Sequence, residues 1–285
     1  MIRLVEMAAR DGLQNEARPV PTEVKVAFVD ALSESGLPEI EVSSFVAPRA
    51  VPQLADAEGV FAAIRRVPGV VYSALVPNER GLERALGAKA DKVAVFTAAS
   101  ETFNRRNINA SIDESFERFR PVVAGARRAG IHVRGYVSTA FFCPYEGKVA
   151  PAATVAVARR LIDLGVDEVS IGDTIGTAET TDVEALLDLL LGVVPVGRLA
   201  MHFHDTYGRA VANVLAAWRR GVVIFDASTG GIGGCPYAPG ASGNVSTEAV
   251  IGALGAAGED VGVDLAALAR ARGVIATSLG RPLRP

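Results

Sequence analysis

Residues 199–205 read LAMHFHD, and two of the chain's three histidines, His202 and His204, sit in this stretch with one phenylalanine between them. The run is short and begins apolar, as a strand buried between two layers does. Side chains alternate along a strand, so His202 and His204 share one face while Phe203 points to the other. Their Cα atoms should lie ~6.6 Å apart, near enough for two imidazoles to share one metal ion. Taken alone, a pair of this kind is more often two satisfied polar residues near a strand end. Its meaning depends on what stands beside it.

Similar runs recur along the chain. RLVEM (3–7), EIEVSS (39–44), VVYSALV (70–76), KVAVFT (92–97), HVRGYVS (132–138), EVSIGD (168–173), LAMHFH (199–204) and VVIFDAS (222–228) read as strands. Amphipathic segments such as 22–35, 78–87, 111–129, 151–164, 180–192 and 207–220 lie between them and read as helices. Gly36, Gly130 and Gly165 follow predicted helices, where a left-handed cap is wanted. Pro151 opens one, where its missing N–H costs nothing. Ser111 precedes Asp113 and Glu114, acids that suit the positive end of a helix dipole.

Eight strands alternating with helices, over roughly the 250 residues typical of such a domain, predict a (β/α)8 TIM barrel. A doubly wound open sheet is the alternative, because pattern alone does not show closure. The expected division is a catalytic barrel over residues 1–262 and a helical extension over 263–285, packed on the barrel. The extension could cover an end of the barrel or join a dimer interface, and a homodimer is expected.

Composition narrows the class. Hydrophobic residues make up 49% and charged residues 21% of the chain, as in an ordinary globular enzyme. The net charge of -3 argues against a nucleic-acid partner. No run nears the ~18 apolar residues of a membrane helix, and the N-terminus lacks the pattern of a signal peptide. Cys143 and Cys235 are too few for a disulfide framework, so a cytoplasmic protein with reduced thiols is expected.

In a barrel the C-terminal rim carries the active site. RDGLQNE (10–16) ends the first strand, Glu41 lies on the second, Asp173 closes the sixth and Asn244 follows the eighth. Burying these groups together is expensive unless something pairs with them, and a hard cation would. Two imidazoles, a carboxylate and an amide oxygen without thiolate suit Mg2+ or Mn2+ best, with tetrahedral Zn2+ as the alternative. GGIGGCPYAPGASGN (230–244), with six glycines and two prolines, cannot form regular structure. It reads as a loop over the rim, with Cys235 either an incidental thiol or a proton-transfer group. It does not match the G-x-G-x-x-G dinucleotide pattern.

Longer motifs then identify a resemblance. VEMAARDGLQNE, EIEVSSFVAPRAVPQLAD, AASETFNRRNINASIDESFERF, CPYEGKVAP, SIGDTIG, HFHDTYGRAVAN and GGCPYAPGASGN together resemble the 3-hydroxy-3-methylglutaryl-CoA lyase family, from about residue 5 to residue 250. Related isopropylmalate and homocitrate synthases share the R-D-G segment and the H-x-H but typically carry Gly-Glu-Arg before the last Gly-Asn, which is absent here. The resemblance implies a lyase that cleaves 3-hydroxy-3-methylglutaryl-CoA to acetyl-CoA and acetoacetate with a divalent cation, the chemistry of leucine degradation and ketone-body formation. It implies Asp11, His202, His204 and Asn244 as metal ligands and Arg10 at the substrate's thioester carbonyl. It further implies Glu41 as an orienting residue, Cys235 as the loop thiol, and Gln14, Tyr136 and Asp173 near the acyl-CoA substrate. The chain departs from the family pattern at Ala8, Ala9 and Ala17 and at Phe141 and Phe142. The two phenylalanines either narrow or line the pocket for a different acyl group, or pack beneath it. A longer or branched 3-hydroxy-acyl-CoA ester, or a synthase reaction, are the alternatives. Arg49, Arg105, Arg106 and Lys148 are candidates for the coenzyme A phosphates.

Overall fold

The computed structural model describes residues 1–233 and 243–285. Eight strands are β1 (Arg3–Glu6), β2 (Glu39–Ser44), β3 (Val71–Leu75), β4 (Lys92–Ala98), β5 (His132–Ser138), β6 (Glu168–Asp173), β7 (Leu199–Phe203) and β8 (Ile224–Ala227). Each pairs in parallel with its neighbour in sequence, and β1 pairs with β8, so the sheet closes into a barrel. The open-sheet alternative is thereby excluded. The pairing of Arg3 with Ile224 through Glu6 with Ala227 makes the closing seam.

The helices are α1 (Thr22–Ser33), α2 (Ala57–Ala63), α3 (Glu79–Gly87), α4 (Glu101–Ile108), α5 (Ile112–Arg128), α6 (Pro151–Leu164), α7 (Thr180–Leu190), α8 (Ala210–Arg219), α9 (Thr247–Ala256) and α10 (Leu265–Leu279). Their starts follow from local chemistry. The Ser111 hydroxyl accepts from the Glu114 N–H at 3.0 Å while Glu114 accepts from the Ser111 N–H at 2.6 Å. This reciprocal cap stabilises α5 by about 1 kcal/mol. The largely polar α4 buries only Phe103 and Asn104 and depends on its Ser100 cap. An antiparallel hairpin, Phe142–Cys143 with Gly147–Lys148, follows β5 and was not legible as a strand pair.

The C-terminal helix α10 packs on α1 and buries Ala267, Leu268, Ala271 and Ile275. The segment that leads into it runs hard against Gly36. That residue has φ +84°, and a Cβ there would meet the Gly262 carbonyl oxygen at 2.7 Å. Glycine satisfies both demands at once.

Strand alternation sorts the side chains into two cores. Ile40, Val93, Val133, Val169, Leu199, Met201, Phe203 and Phe225 face outward into the helices. The inward positions are different. Toward the N-terminal ends of the strands, Glu39 accepts from Arg3 at 2.8 Å and Lys92 at 3.1 Å. Glu168 binds Lys92 at 3.1 Å, Arg134 at 3.2 Å and Arg3. Further along lies a small apolar layer that includes Val5, Met7, Leu75, Ala94 and Ala200. The charged residues that open β2, β4 and β6 are therefore one buried ionic cluster.

Glu168 is the anion shared by three cations. Glu168→Gln should lower unfolding free energy by about 3–5 kcal/mol, because it leaves buried positive charge uncompensated. Urea denaturation at neutral pH measures this, and a loss under 1 kcal/mol would show that the cluster is solvated.

Candidate active site

The strand β1 does not end in an ordinary turn. Ala8–Gly12, AARDG, forms a single π-helical turn, a geometry that recurs at functional sites. It places Arg10 and Asp11 side by side at the C-terminal mouth of the barrel. Gly12 is required there by packing, since a Cβ would meet Ile232 Cγ1 at 2.7 Å and the Ile232 carbonyl oxygen at 3.2 Å.

Arg10 is buried and held by two carboxylates. Its Nε donates to Glu41 Oε1, and its Nη1 donates to Asp11 Oδ1 at 2.5 Å. Burial works against the guanidinium charge, but Glu41 and Asp11 outweigh it and hold the pKa above the ordinary arginine value. Glu41 is aimed by a bulge in β2, where pairing with β3 shifts register between Glu41 and Ser43. Its second oxygen accepts from the Tyr136 hydroxyl, whose ring lies 5.7 Å from the Arg10 guanidinium carbon.

His202 and His204 both face inward from the end of β7, while Phe203 packs outward, as the alternation predicts. Their ring centroids are 5.2 Å apart. Asp11, His202 and His204 each bring one donor atom to within 4.8 Å of the others, the one such group of metal-ligating side chains among the described residues. The donor set fits a cation. Asp11 stays ionised, held at about 2: burial would raise its pKa, but Arg10 and the two imidazoles outweigh it. His204 stays neutral, lowered to about 4 by burial and then by His202. Its buried Nδ1 has no hydrogen-bond partner among the described residues, and an unanswered buried nitrogen costs about 1–3 kcal/mol. Asn244 adjoins the group, donating to Asp11 Oδ2 at 2.8 Å and to the Ile232 carbonyl at 3.2 Å.

Arg10, Asp11, Gln14, Tyr136, His202 and His204 line one cavity of about 690 Å3. Glu41 lies directly behind it. Three features expected near the rim are placed as follows. Asp173 lies outside the lining: its two oxygens accept from the Thr177 and Ala178 N–H groups at 3.3 and 3.0 Å, and burial raises its pKa to about 6. Phe141 is buried in the outer core and Phe142 packs beside it, under Lys148, so neither lines the cavity. The rim charges do not all await a cation, because Arg10 answers much of the negative charge. Cys235 lies outside the described residues.

Among the proposed coenzyme A contacts, Arg105 pairs with Glu101 at 3.7 Å, Lys148 pairs with Asp182 at 2.8 Å, and Arg106 stacks on Tyr145 at 4.1 Å. Besides Arg10, Arg118 reaches the cavity, held by the carbonyls of Ile108 and Asn109 at 3.0 Å each. Sequence reading missed it because it sits on α5, and missed Asp226 and Arg134 because they sit inside strands. Asp226 accepts from His202 Nδ1 at 3.2 Å, Ser170 Oγ at 2.9 Å and Arg134 Nη2 at 2.5 Å.

Comparison with known proteins gives a consistent picture. The family model described as HMGL-like matches residues 1–275. Over 280 residues the chain is 51% identical to "3-hydroxy-3-methylglutaryl-CoA lyase, cytoplasmic" of Danio rerio, covering 98% of this chain and 84% of the relative. It is 50% identical over 280 residues to a Pseudomonas aeruginosa protein named "3-hydroxy-3-isohexenylglutaryl-CoA/hydroxy-methylglutaryl-CoA lyase", covering 98% and 93%. Relatives of similar identity carry "mitochondrial" in their names. The crystal structure of hydroxymethylglutaryl-CoA lyase from Pseudomonas aeruginosa superposes with a TM-score of 0.97 at 49% identity, covering 100% of this chain and 95% of that one.

The π-turn tolerates no side chain at Gly12. Gly12→Ala should destabilise the fold by about 1–3 kcal/mol through overpacking against Ile232. Thermal unfolding measures the loss, and an unchanged Tm would show that the turn moves aside freely.

Proposed function

The chain belongs to the HMGL-like family, and from that premise we propose that it is a divalent-metal-dependent lyase that cleaves 3-hydroxy-3-methylglutaryl-CoA to acetyl-CoA and acetoacetate. The observation that carries the reading is the convergence of Asp11, His202 and His204 on one point of a cavity that Arg10 also lines. Mg2+ or Mn2+ suits the oxygen and imidazole donors, with Asn244 turning its amide oxygen to complete the set. Such a cation, when bound, acidifies a coordinated hydroxyl and orients the substrate.

The reaction asks three things of the protein. The C3 hydroxyl loses its proton, the C2–C3 bond breaks with its electron pair left on C2, and C2 then takes up a proton. Negative charge grows on the thioester oxygen during the break. Arg10 is pre-set to meet it, because Glu41 and Asp11 hold the guanidinium at the cavity wall before substrate arrives. Losing such a donor raises the barrier by about 3–4 kcal/mol, two to three decades in rate. With His202 Nδ1 on Asp226, a cation on Nε2 leaves that ring no free nitrogen. This favours His202 as a ligand over His202 as a base. The returning proton is assigned to Cys235 by resemblance alone. Gln14 and Tyr136 line the cavity wall, which supports a role for both in contacting the acyl-CoA. Asp173 fits better as the brace of the loop after β6, given its backbone hydrogen bonds.

A second substrate reading has its own support. The relative named for an isohexenylglutaryl-CoA ester is half identical to this chain. The cavity wall here is apolar at Val46, Val51, Leu75, Phe96, Phe103 and Phe119. A branched acyl tail would find apolar contacts there. A homodimer and a cytoplasmic location belong to the same proposal. No described helix is long and apolar enough to cross a membrane.

Metal-stripped protein should release acetoacetate from 3-hydroxy-3-methylglutaryl-CoA only after Mg2+ or Mn2+ is added, with kcat above ~1 s⁻¹. Bound metal without product would reject the substrate and leave the site. Arg10→Lys keeps the charge but loses the planar fork, so kcat should fall about 100- to 1000-fold. A change in KM alone would reduce Arg10 to a binding group. Cys235→Ser should lower kcat by orders of magnitude at unchanged metal content, and near-normal turnover would dismiss the thiol.

A further inference from the structure

His202 and His204 are neighbours on one strand, yet they are held in different ways. His204 Nδ1 is buried without a partner among the described residues. His202 Nδ1 faces Asp226 Oδ2 at 3.2 Å. Asp226 is the register partner of His202 across β7 and β8, so the contact is built into the sheet and does not rest on a loop. We propose that Asp226 is a positioning residue for the metal centre, which holds the His202 ring from behind so that Nε2 is the bare nitrogen turned to the cavity.

The argument runs through hydrogen-bond capacity. An ionised carboxylate only accepts, so the imidazole nitrogen that faces it must carry the proton. In the neutral ring the other nitrogen is then unprotonated, the state a metal ligand needs. Asp226 is itself fixed. Its Oδ1 accepts from Arg134 Nη2 at 2.5 Å, and Oδ2 also accepts from Ser170 Oγ at 2.9 Å. Its side chain is fully buried, a costly place for a carboxylate without a partner. Arg134 supplies the charge that keeps it ionised there, and Arg134 also binds Glu168 in the ionic cluster below. The guanidinium carbon of Arg134 lies 4.9 Å from the Tyr136 ring, whose hydroxyl binds Glu41, which binds Arg10. Asp226 and Arg10 thus reach the centre through different residues, His202 and Asp11, and are themselves joined through the barrel interior.

The inference rests on the metal site of the proposed function and not on its substrate. Partners that orient a metal-bound imidazole are typically worth 10- to 100-fold in metal affinity. Asp226→Asn should therefore weaken Mn2+ binding by stripped full-length protein by about that factor, read by electron paramagnetic resonance, with circular dichroism unchanged. Ser170→Ala should act in the same direction by a smaller factor. Nitrogen-15 spectra of the imidazoles, with only three histidines to assign, should show His202 protonated on Nδ1 in the metal-free wild type and a mixture of tautomers in Asp226→Asn. A wild-type His202 protonated on Nε2, or an Asp226→Asn protein with wild-type Mn2+ affinity, overturns the inference. If Asp226→Asn does not fold, the wild-type spectrum and Ser170→Ala decide it. Mn2+ binding as expected without cleavage of 3-hydroxy-3-methylglutaryl-CoA would reject the lyase reading and leave this one standing. A wild-type chain that binds no Mn2+ rejects both.

Discussion

The buried ion pair between Arg10 and Glu41 is the interaction on which the rest of the site depends. It joins the π-turn after β1 to the bulge in β2, two irregular features that would otherwise have no reason to hold their shape. Neither charge could stay buried alone, because breaking such a pair commonly costs about 3–5 kcal/mol. Once the pair forms, the Arg10 guanidinium points into the cavity and its Nη1 fixes Asp11 beside the imidazoles. Tyr136 closes the arrangement from β5. The cost of a buried arginine is thereby offset by a geometry that is ready before any ligand arrives.

The barrel interior is polar along much of its length, although the strands themselves are short and largely apolar. The apolar residues of those strands face the helices. Inside, ionic residues near the strand N-termini connect through Arg134 to Asp226 and so to His202. A buried ionic cluster adds little net stability compared with well-packed hydrophobic side chains. Its value here is directional. Charged groups that accept only certain partners fix rotamers along the axis, and the functional groups at the mouth inherit that order.

The same logic explains why the C-terminal mouth can hold like and unlike charges together. Asp11, Glu41 and Asp226 would repel one another if each stood alone. Arg10 and Arg134 separate them, one arginine serving the Asp11 side and the other the His202 side. Asp173, by contrast, is answered by backbone N–H groups and takes no part in this balance. Acidic residues with similar positions at strand ends thus have different work, set by what each can reach.

Much was legible from residue order alone. The eight strands, the helices between them, the shared face of His202 and His204, and the caps at Ser111 and Gly165 all follow from periodicity and local backbone chemistry, which act over a few residues. The pairing of His202 and His204 was visible for the same reason, since strand alternation is local, whereas Asp11 was named as a ligand by the family resemblance. What the sequence could not determine was pairing across the barrel. Asp226 and Arg134 inside strands, and Glu39, Lys92 and Glu168 at strand starts, carry no local mark of their partners, because those partners lie tens of residues away. Only closure of the sheet brings those charges within hydrogen-bond distance, and only burial makes each of them dependent on the others.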